Sequence, residues 1–462
     1  MTIQATNARS FTEAQRSRRA LRIEPLFVVL LLLVIPGCSL RDPATKRTSV
    51  SSTESGVPER SDTVPQVGTE DEAEAQNGTL IAAIARLTEH GLDPEDYKLS
   101  RLPAAASDPV GRGQALREAW LLAATHLAHG RLDPRTLRPR ASATTAEREL
   151  LARLDAQGGT LALAAALEGF APQHPTYLAL RSELAAERAA MALETDPGKL
   201  TDHAAAIDKL RANLERWRWL PRDLGPRYVF ANVAGFDVAA FDNNVAQAQF
   251  AAIFGKLERE TPAFSDDIEY IVFNPWWEVP DSIARNDKLP QFRRDPGAVL
   301  RLGYKVLDKS GLTVDPANIN WENVSARTFP YRLRQAPGPS NALGQVKIMF
   351  PNAHNVYLHD TPDRGLFDAE QRAFSSGCIR VKEPLDLAEW LLRDTTGWDR
   401  ERIDGAVGSN AETRVTLSTP VPVHVVYFTA VADETCQRAR YLADVYNRDA
   451  AVIQSLRTAL VP

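Results

Sequence analysis

The sequence predicts an α+β protein, with an N-terminal all-helical domain over 78–225 and a β-rich domain over 226–462 that carries an inserted lid at 274–327. Three observations predict it. Apolar residues recur at helical spacing as far as Trp217, and from Tyr228 the pattern shortens to strand alternation with turn signals. The stretch 274–327, rich in proline and tryptophan, then interrupts that alternation. A length of 462 residues allows about three structural units. With 44% hydrophobic and 24% charged residues the chain buries cores, which excludes a wholly disordered or many-span membrane protein. The net charge of -5 offers no electrostatic footprint for nucleic acid, which is not an expected partner.

The first element is a leader. Arg16, Arg18, Arg19 and Arg22 precede the unbroken apolar run 26–35, followed by Pro36, Gly37 and Cys38, the order of a secretory signal peptide over 1–38. As a helix this run would rise about 15 Å, half of a ~30 Å hydrocarbon core, so a stable span is the weaker reading. Ile35-Pro36-Gly37-Cys38 resembles a bacterial lipobox, which implies lipidation of Cys38 and a membrane anchor; plain cleavage nearby is the alternative. Residues 39–77 are rich in Ser, Thr, Pro and acids, lack apolar periodicity, and read as a disordered tether.

Helices follow, each showing one buried face: Leu80, Ile84 and Leu87; Leu116, Trp120, Ala123 and Leu127; Tyr177, Leu180, Leu184 and Met191; Ile207, Leu210, Leu214 and Trp217. Two end in His-Gly segments, at Gly91 and Gly130, with Pro94 and Pro134 beyond, where glycine suits a left-handed cap. The domain boundary falls near 222–227. Strands are expected from Tyr228, with a turn near Asp242-Asn243-Asn244, and then over 268–273, 346–350, 356–359 and 421–431.

Chemistry concentrates late in the chain. Cys378 lies in Ser375-Ser376-Gly377-Cys378-Ile379-Arg380, and His359 ends an expected strand 19 residues earlier. A thiol is a weak nucleophile until a base removes its proton, and His359 can be that base, leaving a thiol that labels below the ordinary thiol range. Ser376 and Gly377 are small enough to admit a substrate, and N–H groups there could face an oxyanion. Spacing alone leaves an inert core cysteine as the commoner reading.

The wider string is more specific. Pro337-Gly338-Pro339-Ser340-Asn341-Ala342-Leu343-Gly344, then Tyr357-Leu358-His359-Asp360-Thr361-Pro362, then Arg372-Ala373-Phe374-Ser375-Ser376-Gly377-Cys378-Ile379-Arg380 closely resembles the L,D-transpeptidase family with a YkuD-type catalytic domain, in its long, scaffold-bearing branch. Asn213-Leu214-Glu215-Arg216-Trp217-Arg218-Trp219-Leu220-Pro221, Thr261-Pro262-Ala263-Phe264 and Asn274-Pro275-Trp276-Trp277-Glu278-Val279-Pro280 match too, so the resemblance covers 80–450. It implies Cys378 as nucleophile, His359 as base, the backbone carbonyl of Asp360 as the group orienting the imidazole, and Tyr357 and Arg380 beside the substrate. The implied reaction is peptidoglycan cross-linking, in which a tetrapeptide stem is acylated onto Cys378 as a thioester and passed to an amine, without a cofactor. Together with the lipobox-like leader, it implies a periplasmic, membrane-anchored lipoprotein of a Gram-negative bacterium.

Two departures stand out. Ser376 replaces the histidine that shorter members carry before the glycine. The helix around Tyr177 to Met191 runs almost directly into the Asn213 block, leaving no room for a peptidoglycan-binding module. Rival readings are an L,D-carboxypeptidase on the same site and a non-catalytic wall-binding lipoprotein. His126 and His129 share a helical face without a third ligand, and no metal site is expected. Trp276, Trp277 and Trp321 suit glycan stacking and an insertion mini-core equally. Cys436 sits at an expected hairpin turn as a stray thiol; a disulfide to Cys378 is the alternative.

Overall fold

The computed structural model describes residues 70–105, 107–433 and 438–458. The expected leader, Cys38 and Cys436 lie outside them. The tether ends sooner than expected, because the helix Glu70–Ala85 takes in 70–77. Asp71 and Glu72 sit where a helix N-terminus favours negative charge, and Leu80 and Ile84 carry its second half into the core.

Helices Pro109–His129, Pro175–Leu193 and Pro197–Arg218 form where the apolar spacing placed them. Each opens with proline behind a capping side chain, Asp108, His174 or Asp196. Leu116, Trp120, Tyr177, Leu184 and Leu214 are fully buried, whereas Met191 and Ile207 are only half-buried. Only Glu194, Thr195 and Asp196 separate the last two of these helices. A further helix, Thr145–Leu167, had no legible apolar face. It is alanine-rich and broken at Gly158 and Gly159, and is held by a capping box of Thr144 with Glu147. Trp120 Nε1 donates to the Leu163 carbonyl at 2.7 Å. Gly91 takes the expected left-handed cap, but Gly130, at φ 84° and ψ 154°, takes a different positive-φ conformation that also favours glycine.

From Arg227 the chain builds a sheet whose pairing closes on itself as a barrel. The order is Arg227–Asn232, Asp237–Asp242, Val245–Gly255, Ile379–Val381, Leu358–His359, Val346–Met349, Phe264–Phe273, Thr413–Val426 and back to the first; Ala373–Ser375 pairs with the end of Val245–Gly255. Asn243 and Asn244 both have positive φ, as a tight hairpin turn needs. The strand expected over 356–359 contracts to Leu358–His359, with Asn355 at φ 55° just before it. The one expected over 421–431 is the end of Thr413–Val426, then a separate Ala430–Ala432. Helices Pro384–Leu392, Arg400–Gly408 and Asp449–Arg457 make this domain less purely β than expected, and Leu387, Leu391 and Leu392 enter its core.

The sequence boundary near 225 is not a packing boundary. Tyr228, Phe230 and Phe428 join the helical core. Trp217 stacks on Phe428 at 4.8 Å and on His174 at 4.6 Å. The Asn213 amide pairs with the N–H and hydroxyl of Thr429 at 2.8 and 2.9 Å, and Arg216 meets Asp449 at 2.6 Å. The Asn213 to Pro221 block is therefore the joint between the two domains.

The insertion has its own four-stranded sheet, ordered Trp277–Glu278, Arg332–Gln335, Tyr304–Leu307 and Thr313–Val314, around Leu289, Phe292 and Trp321. It thus runs through Gln335, beyond the expected end at 327. Its strands have two to four residues, too short for alternation to show.

Candidate active site

Two short parallel strands build the site. Leu358 stands in register with Ile379, and His359 with Arg380. Leu358 and Ile379 both enter the barrel core without exposure. Strand alternation therefore sends Tyr357, His359, Cys378 and Arg380 to the other face, which brings together the four residues separated by up to 23 positions in the chain.

His359 Nδ1–H donates to the Asp360 carbonyl, which leaves Nε2 with its lone pair. Burial, helped by the charge of Arg380, lowers the His359 pKa to about 3, so the imidazole is a neutral base at working pH. Asp360 meets His359 through its backbone, while its carboxylate accepts the Gln345 N–H at 2.8 Å and pairs with Arg364 at 2.6 Å. Gly344, at φ 58°, lies so close that a Cβ there would sit 2.2 Å from Asp360 Oδ2. The glycine ending the Pro337 block is thus required twice over, by conformation and by space.

Cys378 is a free, half-buried thiol whose Sγ–H donates to the Asn355 carbonyl at 3.7 Å. Burial raises its pKa, opposed by hydrogen bonds from the N–H and hydroxyl of Tyr357 and by the charges of Lys347 and Arg380. The direction is opposite to that of the expected low-pKa thiol, because the surrounding protein disfavours the thiolate.

The loop before Cys378 is tightly tied. Ser375 Oγ–H donates to the Cys378 carbonyl at 2.5 Å and accepts the Gly377 N–H at 3.1 Å. The Gly377 N–H, expected as a possible oxyanion donor, is engaged within the loop. The exposed Ser376 hydroxyl accepts from Arg259 at 2.8 Å, and Arg259 pairs with Asp287 of the insertion at 2.6 Å.

Sequence reasoning missed Lys347. It faces His359 directly across antiparallel strands, so Lys347, His359 and Arg380 form one row over three strands. Its Nζ lies 4.0 Å from the Tyr357 ring centroid. Arg380 meets Asp363 at 3.4 Å. The insertion borders the same face: the Trp277 indole faces the Tyr357 hydroxyl, and Lys288 lies within electrostatic reach of Asp363 and Arg380.

Trp277 and Trp321 belong to the insertion core, while half-buried Trp276 lies between Arg334 and Lys305, at 4.3 and 5.0 Å. His126 turns inward to the Tyr97 hydroxyl at 3.1 Å and the Arg140 carbonyl at 2.9 Å, whereas His129 meets Glu147 at 3.3 Å, so the two do not converge.

Residues 226–423 match the family model of the L,D-transpeptidase catalytic domain, YkuD. This region belongs to that family. Residues 69–184 match the scaffold domain, so the L,D-transpeptidase domain follows its scaffold as the long-branch resemblance implied. A Haemophilus influenzae protein named "Putative L,D-transpeptidase" is 36% identical over 222 residues, which are 48% of this chain and 44% of that relative. The match thus spans less than half of the relative's own length. Two solved structures also match. An L,D-transpeptidase from Mycobacterium smegmatis has 12% identity over 43% of this chain and 58% of its own, with a TM-score of 0.19. Mycobacterium tuberculosis L,D-transpeptidase 1 has 13% identity over 44% and 61%, with a TM-score of 0.17.

Proposed function

We propose that the chain is a peptidoglycan L,D-transpeptidase that forms 3-3 cross-links by cysteine acyl transfer. The observation that carries the reading is the common face on which Cys378 and a His359 already fixed in its Nδ1–H tautomer emerge from paired strands. A substrate carbonyl arriving there meets a nucleophile and a base together. Cys378 Sγ attacks the carbonyl carbon of the third stem residue while its proton passes to His359 Nε2. The C–N bond to the terminal D-alanine breaks, and the imidazolium returns the proton to the departing amine. The thioester left on Cys378 is then attacked by an amine of a second stem. His359 takes that amine's proton and gives it to the leaving thiolate, which restores the free thiol.

Lys347, Arg380 and Lys288 supply positive charge on this face, suited to the carboxylates of a stem peptide. The insertion restricts water, which protects the thioester for its amine acceptor. Delivery to the periplasm and a lipid anchor on Cys38 complete the proposal. Cys38→Ala should release the protein from membranes or block leader cleavage, and unchanged fractionation would remove the anchor.

The deciding assay is mass analysis of a disaccharide-tetrapeptide incubated with the protein. A dimer lacking one D-alanine supports transpeptidation, a shortened monomer makes the protein a carboxypeptidase, and unchanged substrate makes it a non-catalytic lipoprotein. Cys378→Ala should abolish any product.

A further inference from the structure

We infer that Thr261 is a positioning residue that aims the backbone N–H of Cys378 at the oxyanion; this rests on the reading of Cys378 as the acyl-transfer nucleophile. Thr261 is fully buried, and its hydroxyl donates to the Gly377 carbonyl at 2.9 Å while accepting the Gly255 N–H at 2.9 Å. Gly377 C=O and Cys378 N–H belong to one peptide unit, which is planar and trans, so the two groups point in opposite directions. Fixing the carbonyl towards the interior therefore turns the Cys378 N–H outward. That N–H donates to no protein group among the described residues, whereas the Gly377 N–H is held by Ser375 Oγ. The donor left for a developing oxyanion is the one whose peptide plane Thr261 sets.

Rotation of this peptide would otherwise be easy. Gly377, at φ 112°, has no Cβ to restrict it. Thr261 is itself anchored: its N–H donates to the Tyr446 hydroxyl at 3.2 Å, and that hydroxyl donates to the Gly255 carbonyl at 2.5 Å. Every proton in the set has one acceptor. The turn that carries it passes close to Gly255, where an added Cβ would lie 2.2 Å from the Arg259 carbonyl oxygen, so only glycine fits there. Tyr446 stacks on Tyr427 at 5.5 Å, and Arg216 of the scaffold joint lies over Tyr427 at 5.2 Å. Residues from four distant parts of the chain thereby converge behind one peptide bond.

The test compares Thr261→Val, Thr261→Ser and Tyr446→Phe by two reactions at the same sulfur. Tetrapeptide turnover passes through an oxyanion, whereas alkylation of Cys378 by iodoacetamide does not. Thr261→Val should lower kcat by about a hundredfold with KM changed by less than about threefold, the size expected of a misaimed oxyanion donor. Its alkylation rate should stay within about threefold of the parent, because the sulfur itself is unmoved. Thr261→Ser, which keeps the hydroxyl, should restore most of kcat. Tyr446→Phe, which keeps the Thr261 hydroxyl but loosens its anchor, should fall between. Equal loss of turnover and alkylation in Thr261→Val and Tyr446→Phe would assign these residues to general packing and overturn the inference, as would unchanged kcat in Thr261→Val. A parent protein that alkylates at Cys378 yet turns over no tetrapeptide would instead overturn the acyl-transfer reading, and this inference with it.

Discussion

Lys347 and His359 stand directly opposite each other on adjacent antiparallel strands, and Arg380 flanks the imidazole on its other side. The base thus lies between two cations. Both charges oppose protonation of His359, and both favour the thiolate of Cys378 against the burial that raises its pKa. Iodoacetamide should therefore label Cys378 with a midpoint at or above the ordinary free-thiol value of about 8.5. Lys347→Met should move it further up, because one cation favouring the thiolate is gone. Turnover should show no acid limb near pH 6.5, since the imidazole stays neutral down to about 3. A labelling midpoint well below 8 would restore the preformed ion pair and refute the neutral one.

Asp360 meets His359 through its carbonyl, so under the proposed mechanism its carboxylate is separable from catalysis. Asp360→Asn should keep kcat within about tenfold, because the His359 tautomer depends on a backbone oxygen that remains. Gly344→Ala should do far more damage, since the new methyl meets Asp360 Oδ2 and the backbone has φ 58°. A loss of about 2 to 4 kcal/mol in urea unfolding is expected, from strain added to overpacking. Equal stability of the two variants would show that the segment relaxes without effort.

Much of the fold was legible because burial leaves a period. Leu80, Trp120, Leu180 and Leu214 repeat on helical faces, and every one is buried. The helix Thr145–Leu167 left no such trace, since alanines mark no face and Gly158 and Gly159 break its geometry. Cys378 and His359 were legible from a residue string, but Lys347 was not, because its place beside His359 is set by a strand register that no local pattern encodes. Thr261 shows the same limit, as its partners Gly255, Gly377 and Tyr446 meet only after the barrel closes. The insertion's strands were hidden by brevity.

Arg259 links the insertion to the nucleophile loop, donating to Asp287 and to Ser376. Both side chains of the ion pair are partly exposed, so its effect on global stability should be small, below about 1 kcal/mol. Its effect on large substrates should be greater. Asp287→Asn should weaken turnover of a disaccharide-tetrapeptide by about threefold to tenfold through KM, while leaving iodoacetamide labelling of Cys378 unchanged. Parallel losses in both reactions would mean that the insertion supports the fold of the loop and does not cover the site.

The joint between scaffold and catalytic domain contains a histidine that acid should unsettle. His174 caps its helix by accepting the Thr176 N–H on Nδ1 at 3.1 Å, and Nε2 meets the Tyr228 hydroxyl at 2.9 Å. A proton on Nδ1 would face that N–H, inside an aromatic cluster with Trp217. Burial lowers its pKa to about 4, and does the same for His126 and His424. In the unfolded chain each would titrate near 6.5, so between about 6.5 and 4 the unfolded state binds protons that the folded state refuses. Stability is fully present above pH 6.5 and falls as pH drops, by about 1.4 kcal/mol per pH unit for each such histidine. His174→Asn retains a capping side chain but no titrating group. It should be less stable than the parent at pH 7, through loss of the stack and the Tyr228 contact, yet lose less on acidification. Urea midpoints at pH 7, 6 and 5 measure the two slopes. Parallel slopes would show that His174 admits its proton without disturbing the joint.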